Sequence, residues 1–333
     1  DTLGSEPHEV RAKNINPYLV EGRDIFLISR NKPISHVPEM SYGSMANDGG
    51  NLILTDAELT ELIRNEPESL QFIRPFLGSA EFINDIKRWC IWLEDIPPNA
   101  YSKSKEIYRR VQAVKDYRLK SPRENTRKLA NRPMLFGEIR QPNTHYLLIP
   151  GVSSENRKYI PIGFLPKNII ASDLARTIPG GNLYMFGVLT SILHMAWVKY
   201  VCGRLKSDYR YSASIVYNNF PWPENPTGKQ KEAVEKAAQA VLDARAIFQN
   251  PAPGEKGASL ADLYDPNTMP PILVKAHQAL DKAVDLCYRS QPFPNETKRI
   301  EFLFELYDKY TAGLFAGENQ KTRKVKKKTK EEN

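Results

Sequence analysis

The chain has 333 residues, 41% hydrophobic and 26% charged, with a net charge of +8, which is length enough for two domains whose cores need neither disulfide nor metal. Three cysteines (Cys90, Cys202, Cys287) stand far apart, which excludes a disulfide framework or a metal-ligand spacing and fits free thiols in a reducing, cytoplasmic setting. The longest apolar run, Leu183 to Val198, is interrupted by Gly187, Thr190, Ser191 and His194; it falls short of the roughly 20 residues that span a bilayer, so a soluble protein without a membrane partner is expected.

The chain opens at Asp1 in a polar stretch, with neither an initiator Met nor a signal peptide, and reads as part of something longer. Residues 1–40 hold a strand-like piece, Asp24–Ser29, among prolines and turn residues, too little for a core of their own; they are expected to finish an upstream domain. Asn47-Asp48-Gly49-Gly50 predicts a tight turn. Thr55-Asp56-Ala57-Glu58 is a capping box that starts a helix with Leu59, Leu62 and Ile63 on one face. Helical periodicity recurs over 80–93 and 102–119. From Met134 the pattern becomes short and β-rich: 134–139, 145–149, 159–165 and 168–171. A buried helix follows from Leu183, in which His194 reads as a core histidine. A strand is expected over 214–218, closed by Phe220-Pro221-Trp222-Pro223. Thr227 to Gln230 caps a helix with Val234, Ala237, Val241 and Phe248 on one stripe, and further helices are predicted over 272–288 and 296–314. The fold class is therefore α+β: a mixed α/β domain over 41–225, a small all-α domain over 226–318, and a disordered basic tail over 319–333.

The tail carries seven Lys or Arg against Glu331 and Glu332, a surplus of five that leaves +3 for the rest of the chain. Global charge thus says little about partners. The informative clustering is local. Between Lys103 and Arg132 stand eleven Lys or Arg against three acids, and within and beyond this cluster Arg118, Arg123, Arg127, Lys128, Arg132 and Arg204 are candidates for DNA phosphate contacts.

No catalytic constellation emerges. There is no Gly-rich cofactor loop after a strand, and no Asn/Asp-Pro-Pro-aromatic motif of an amino-methylating enzyme. Asn219-Phe220-Pro221-Trp222 has Phe where that motif has its first Pro, and reads as a rigid aromatic junction. Asp85-Ile86-Lys87 matches half of a nuclease metal site but lacks a partner strand. No phosphate loop, Ser-His-Asp set or Cys-His pair occurs. What remains is recognition chemistry: Arg204 to Ser212 places three cations, a carboxylate and two tyrosines in nine positions, side chains suited to base edges in a major groove.

Several stretches give this chain a family. Asn16-Pro17-Tyr18-Leu19, Pro38 through Leu52, Leu135-Phe136-Gly137-Glu138-Ile139, Tyr159 through Phe164, Tyr217 through Pro223 and Leu260 through Pro266 together resemble the C-terminal region of the MmeI-like (type IIL) restriction–modification enzymes, which methylate adenine in DNA. The resemblance runs in order along nearly the whole chain except the tail. It implies a parent ordered as nuclease, helical spacer, methyltransferase, target-recognition domain and C-terminal helices. In that order 1–40 end the methyltransferase region, 41–225 read DNA and 226–318 form the helices. It further implies that double-stranded DNA is the partner, and that the S-adenosylmethionine cofactor and a flipped adenine are handled upstream, in the methyltransferase domain of the same polypeptide, leaving no cofactor for this part. Base-reading positions implied by the resemblance are Lys206 and Asp208, with Arg210, Asp173 and Leu174, and the loop of Ser153 and Ser154; relatives carry Arg where this chain has Gly151. Lys206 and Asp208, as i and i+2 of an extended segment, would enter one groove together, Lys on guanine and Asp on cytosine. Two competing readings are a scaffold that docks a partner subunit and a complete enzyme with an unrecognised site.

Overall fold

The structure, a computed structural model, describes residues 11–250, 252, 254 and 256–312; the basic tail lies outside them. Two sheets build the first part. One orders Ile53–Thr55, Arg88–Ile91, Ile73–Leu77 and Ile170–Ala171, antiparallel except for the last, parallel pair. The helices Asp56–Asn65 and Lys105–Leu119 contribute Leu59, Leu62, Ile107, Val111 and Val114 to its core, beside Leu52, Leu54, Cys90 and Phe136. The expected capping box of Thr55 and Glu58 is present, and the second helix is capped two residues past the expected 102, by Ser104, whose hydroxyl accepts from the Ile107 N–H. The other sheet is antiparallel, ordered Ser41–Tyr42, Ala175–Pro179, Tyr146–Pro150 and Gly163–Leu165.

Some expectations give way to tertiary pairing. The helix predicted over 80–93 stops at Asn84, because Asp85 turns left-handed with φ 53°. Arg88–Ile91 then becomes an inner strand that buries Cys90 and Ile91; in so short an apolar window, strand partners on both sides outweigh helical periodicity. Residues 134–139 form no strand beyond a bridge from Glu138 to Met45. The long buried helix is two, Leu183–Leu189 and Ile192–Val201, separated at Thr190 and Ser191, where the Ser191 hydroxyl accepts from the His194 N–H. The strand expected over 214–218 is a single wide π-helical turn, Ala213–Tyr217. Asn219 holds it, its Nδ2 donating to the carbonyls of Ile28, Ser214 and Ile215. Residues 24–30 are extended without a ladder partner, with Ile25 buried and Phe26 and Ile28 outward.

The C-terminal helices Gly228–Gln249 and Pro271–Tyr288 pack on Leu183–Leu189, and a third, beginning at 296 and described to 312, sets Phe304 and Tyr307 against Trp197. Gly187 permits the former packing: a β-carbon there would lie 2.7 Å from Val234 Cγ1. One apolar core runs from the second sheet through these helices. His194 sits inside it, bonded to the Tyr211 hydroxyl at 3.0 Å, and burial pushes its pKa down to about 3, so it is a neutral core histidine. Phe220 and Trp222 are buried in edge-to-face contact, as an aromatic junction requires.

Two buried polar devices pin this arrangement. Arg118, fully buried, donates all five of its N–H groups to carbonyls: Nε to Asn47, Nη1 to Leu129 and Arg132, and Nη2 to Ala46 and Leu135, at 2.8–3.1 Å. Arg118→Met would leave the Asn47 and Leu135 carbonyls without a donor and take one of two donors from those of Ala46, Leu129 and Arg132, and is expected to cost about 3 kcal/mol in denaturant unfolding; a loss below about 0.5 kcal/mol, typical of a surface site, would contradict this role.

Asp281 accepts from the Ile192 N–H at 2.8 Å and the Tyr159 hydroxyl at 2.7 Å, joining the C-terminal helices to the mixed α/β part of the chain. Burial raises its pKa to about 6, with Lys158 and Asp285 as nearby charges. Because the folded value lies above the unfolded one, the native state binds the proton more tightly. This group's contribution to stability therefore grows as pH falls from above 6 toward 4. Relative to Asp281→Asn, the wild type should gain on the order of 2 kcal/mol between pH 7 and pH 4; parallel stability–pH curves for the two proteins would refute the assignment.

Candidate nucleic-acid interface

The segment Arg204 to Ser212 folds as a hairpin. Gly203–Leu205 and Asp208–Arg210 pair antiparallel with Leu205 opposite Asp208, leaving Lys206 and Ser207 as a two-residue turn. Lys206 has φ 56°, the positive φ that such short turns need at their first position. The alternation argument for Lys206 and Asp208 is thus corrected: Lys206 is not in an extended strand, and the turn, not the pleat, brings the two residues together. No ion pair joins them among the described residues; the Asp208 carboxylate takes only a long bond, 3.4 Å, from the Glu155 N–H. Lys206 and Arg210 are exposed and Asp208 is half-buried.

A third strand, Val152–Ser153, completes this small sheet, with Ser153 opposite Tyr209 and Val152 opposite Arg210. Gly151, just before it, ties in the other candidate loop. Its N–H donates to the Leu174 carbonyl at 3.2 Å and its carbonyl accepts from the Tyr211 N–H at 2.9 Å. Lys206, Asp208, Arg210, Asp173, Leu174 and Ser154 therefore share one neighbourhood, with Leu174 standing out into solvent at 61% exposure. Ser153 is the exception. Its side chain is buried and its hydroxyl has no partner, so it faces the interior and cannot meet a base as the sheet stands. Ser154 is half-buried and its hydroxyl accepts from the Asn156 N–H.

The basic cluster resolves into unlike parts. Arg118 is removed from the phosphate candidates, since every donor it has is spent on carbonyls inside the protein. Arg109 and Arg110 pair with Glu106, and Arg110 also with Glu58; these bonds hold the Glu106 carboxyl below its usual range, and the Thr55 backbone N–H, with Arg110, brings Glu58 down to about 2. Lys128 pairs with Glu124 at 2.8 Å, both exposed. Arg123, Arg127 and Arg132 are exposed, Arg127 anchored by Nη1 to the carbonyls of Ser121 and Pro122. Arg123 borders a cavity of about 550 Å3 with Asn47, Thr126 and Glu138. Arg204 stacks on Tyr209 at 4.0 Å, donates to the Ser207 carbonyl and approaches Glu155 at 3.8 Å.

Sequence reasoning missed Arg176. It lies in the strand Ala175–Pro179 beneath these loops, buried, its guanidinium 4.0 Å from the centroid of the Tyr42 ring. Ala-Arg-Thr-Ile gave no sign of this, because an arginine in a strand pattern reads as its solvent-facing member. Among the described residues no group of three or more His, Cys, Asp or Glu could hold a metal ion, and no helix is long and apolar enough to cross a membrane.

Comparison with known proteins agrees with this layout. The family profile for the MmeI target recognition domain matches residues 21–224, and that for the MmeI C-terminal domain matches 226–315. DNA methyltransferase A of Bacillus subtilis (strain 168) is 41% identical over 298 residues, covering 90% of this chain and 33% of its own length. A solved structure of the type IIL restriction–modification enzyme MmeI in complex with DNA superposes with a TM-score of 0.85 at 48% identity, over 92% of this chain and 40% of that one. The chain thus spans well under half the length of either relative. It belongs to the MmeI family, and comprises that family's target recognition and C-terminal domains.

Proposed function

We propose that this chain is the sequence-reading part of a site-specific DNA methyltransferase that modifies adenine at N6, and that it contacts duplex DNA through the hairpin and the two loops beside it. The observation that carries the reading is the set of uncommitted side chains at one place. Lys206 is unpaired with its acidic neighbour, Arg210 is exposed, and Asp208 holds one weak bond. Groups so placed give up no protein partner on meeting a base edge, which replaces the water they lose, whereas committed ion pairs would have to break first. Arg123, Arg127, Lys128, Arg132 and Arg204 supply exposed cations for phosphates.

On this reading the methyl donor, S-adenosylmethionine, and the flipped adenine belong to the part of the relatives' length that this chain does not span. A methyltransferase domain of the same polypeptide is then the natural neighbour of residues 15–28, where Ile15, Leu19, Phe26 and Ile28 are all exposed. Apolar side chains gathered on one short segment favour burial against another domain. A nuclease in that polypeptide is compatible with the reading and not required by it. A cytoplasmic setting fits the three buried free cysteines.

The test is an exchange of charges at the hairpin tip. Lysine donates to guanine N7 and O6, and a carboxylate accepts from the cytosine amino group. Lys206→Glu with Asp208→Arg should therefore turn a G·C preference at one position of the methylated site into C·G, with discrimination of roughly 5- to 150-fold, read from methylation by the full-length protein. If the double variant still methylates the original site, these two residues do not read that pair.

A further inference from the structure

Arg176 is buried, and its surroundings are unusual for an interior cation. Its terminal nitrogen Nη1 donates to the carbonyls of Asp173 and Ala175, both at 3.0 Å, and its Nε has no partner. No carboxylate lies within ion-pair distance among the described residues. Burial opposes its ionised form most, Tyr42 favours it, Arg210 opposes it and Asp173 favours it. Tyr42, its cross-strand partner, offers the ring face at 4.0 Å. A β-carbon at Gly151 would come within 3.3 Å of both terminal nitrogens and 2.4 Å from the Leu174 carbonyl. The guanidinium therefore touches the Asp173–Leu174 loop and the loop that begins at Gly151, directly under the face that carries Arg210.

A buried arginine of this kind is expensive if its role is only to fill space, since an apolar side chain of similar volume would serve at least as well. What a methionine or leucine cannot do is donate to the carbonyls of Asp173 and Ala175, on either side of Leu174. A lysine can donate to them but cannot lie flat on Tyr42. We propose that Arg176 is a positioning residue for base discrimination: it fixes the Asp173–Leu174 loop against Gly151, so that Asp173 and Leu174 meet the groove at a set height. This rests on the reading of the face as a DNA-recognition surface.

The experiment uses the full-length protein and a pool of duplexes with a randomised core, sequenced before and after binding. The charge-exchange variant at Lys206 and Asp208 first marks which base pair the hairpin reads. Arg176→Lys should then lose about tenfold of its preference at one or two other base pairs and keep it at the hairpin's pair, with its thermal midpoint close to that of the wild type. Tyr42→Phe, which preserves the ring, should keep the wild-type profile, and Tyr42→Ala should follow Arg176→Lys. An Arg176→Lys profile identical to the wild type overturns the proposal. So does a uniform flattening at every position with a lowered midpoint, which would mark a merely structural role. A wild type that enriches no sequence would overturn the DNA-reading proposal itself, and this one with it.

Discussion

Residues 41–50 cross from the strand under the 173–174 loop to the basic cluster around Arg118, and both depend on how this strap is held. At the near end Tyr42 pairs with Arg176 and lies against its guanidinium. In the middle Gly43 passes so close to the 171–172 backbone that a β-carbon would sit 2.3 Å from the Ser172 carbonyl. Ser44, fully buried, donates its N–H to the Ala171 carbonyl and accepts from the Asp173 N–H. At the far end Arg118 grips the carbonyls of Ala46 and Asn47. Main-chain groups buried this way must be paired, and each of these pairings fixes the strap's path. Two buried arginines, Arg118 and Arg176, thus help set where the exposed arginines stand.

The helical domain is a second, independent support. Its helices share a core with Leu183–Leu189 and Ile192–Val201, and the hairpin leaves directly from the end of the latter. Asp281 reaches across to the first turn of that helix, where the free N–H groups favour a carboxylate. Arg245, Tyr264 and His277 form a second buried chain that ends on the Ile162 carbonyl. The hairpin is consequently a short projection on a well-anchored base, which is how reading groups keep a fixed geometry.

Local signals were legible in the sequence where one residue decides the outcome. The caps at Thr55 and Thr227, the Asn47 to Gly50 turn, the core role of His194 and the aromatic junction at Phe220 and Trp222 are of this kind. Arg204 to Ser212 stands out from composition as a candidate, and the family resemblance supplies the individual candidate positions. Features set by distant partners were not legible. Arg88–Ile91 is a strand because two others flank it, and Ala213–Tyr217 is a wide turn because Asn219 and the 28–30 segment take its carbonyls. Arg118 looked like one cation among eleven, since nothing in its neighbours announces five carbonyls arranged around it. Ser153 lies in a candidate loop with its side chain turned inward, a one-residue difference that pleating decides.

The central claim is that duplex DNA lies across the hairpin, its two companion loops and the arginine rim. Amide hydrogen exchange of the full-length protein, with and without a duplex selected from the randomised pool, tests it most directly. Protection on binding should concentrate in residues 151–155, 172–175 and 203–210, with a lesser effect over 121–132, and leave the solvent face of the helices 228–249 and 271–288 unchanged. Protection confined to those helices, with the hairpin exchanging as in the free protein, would contradict the account.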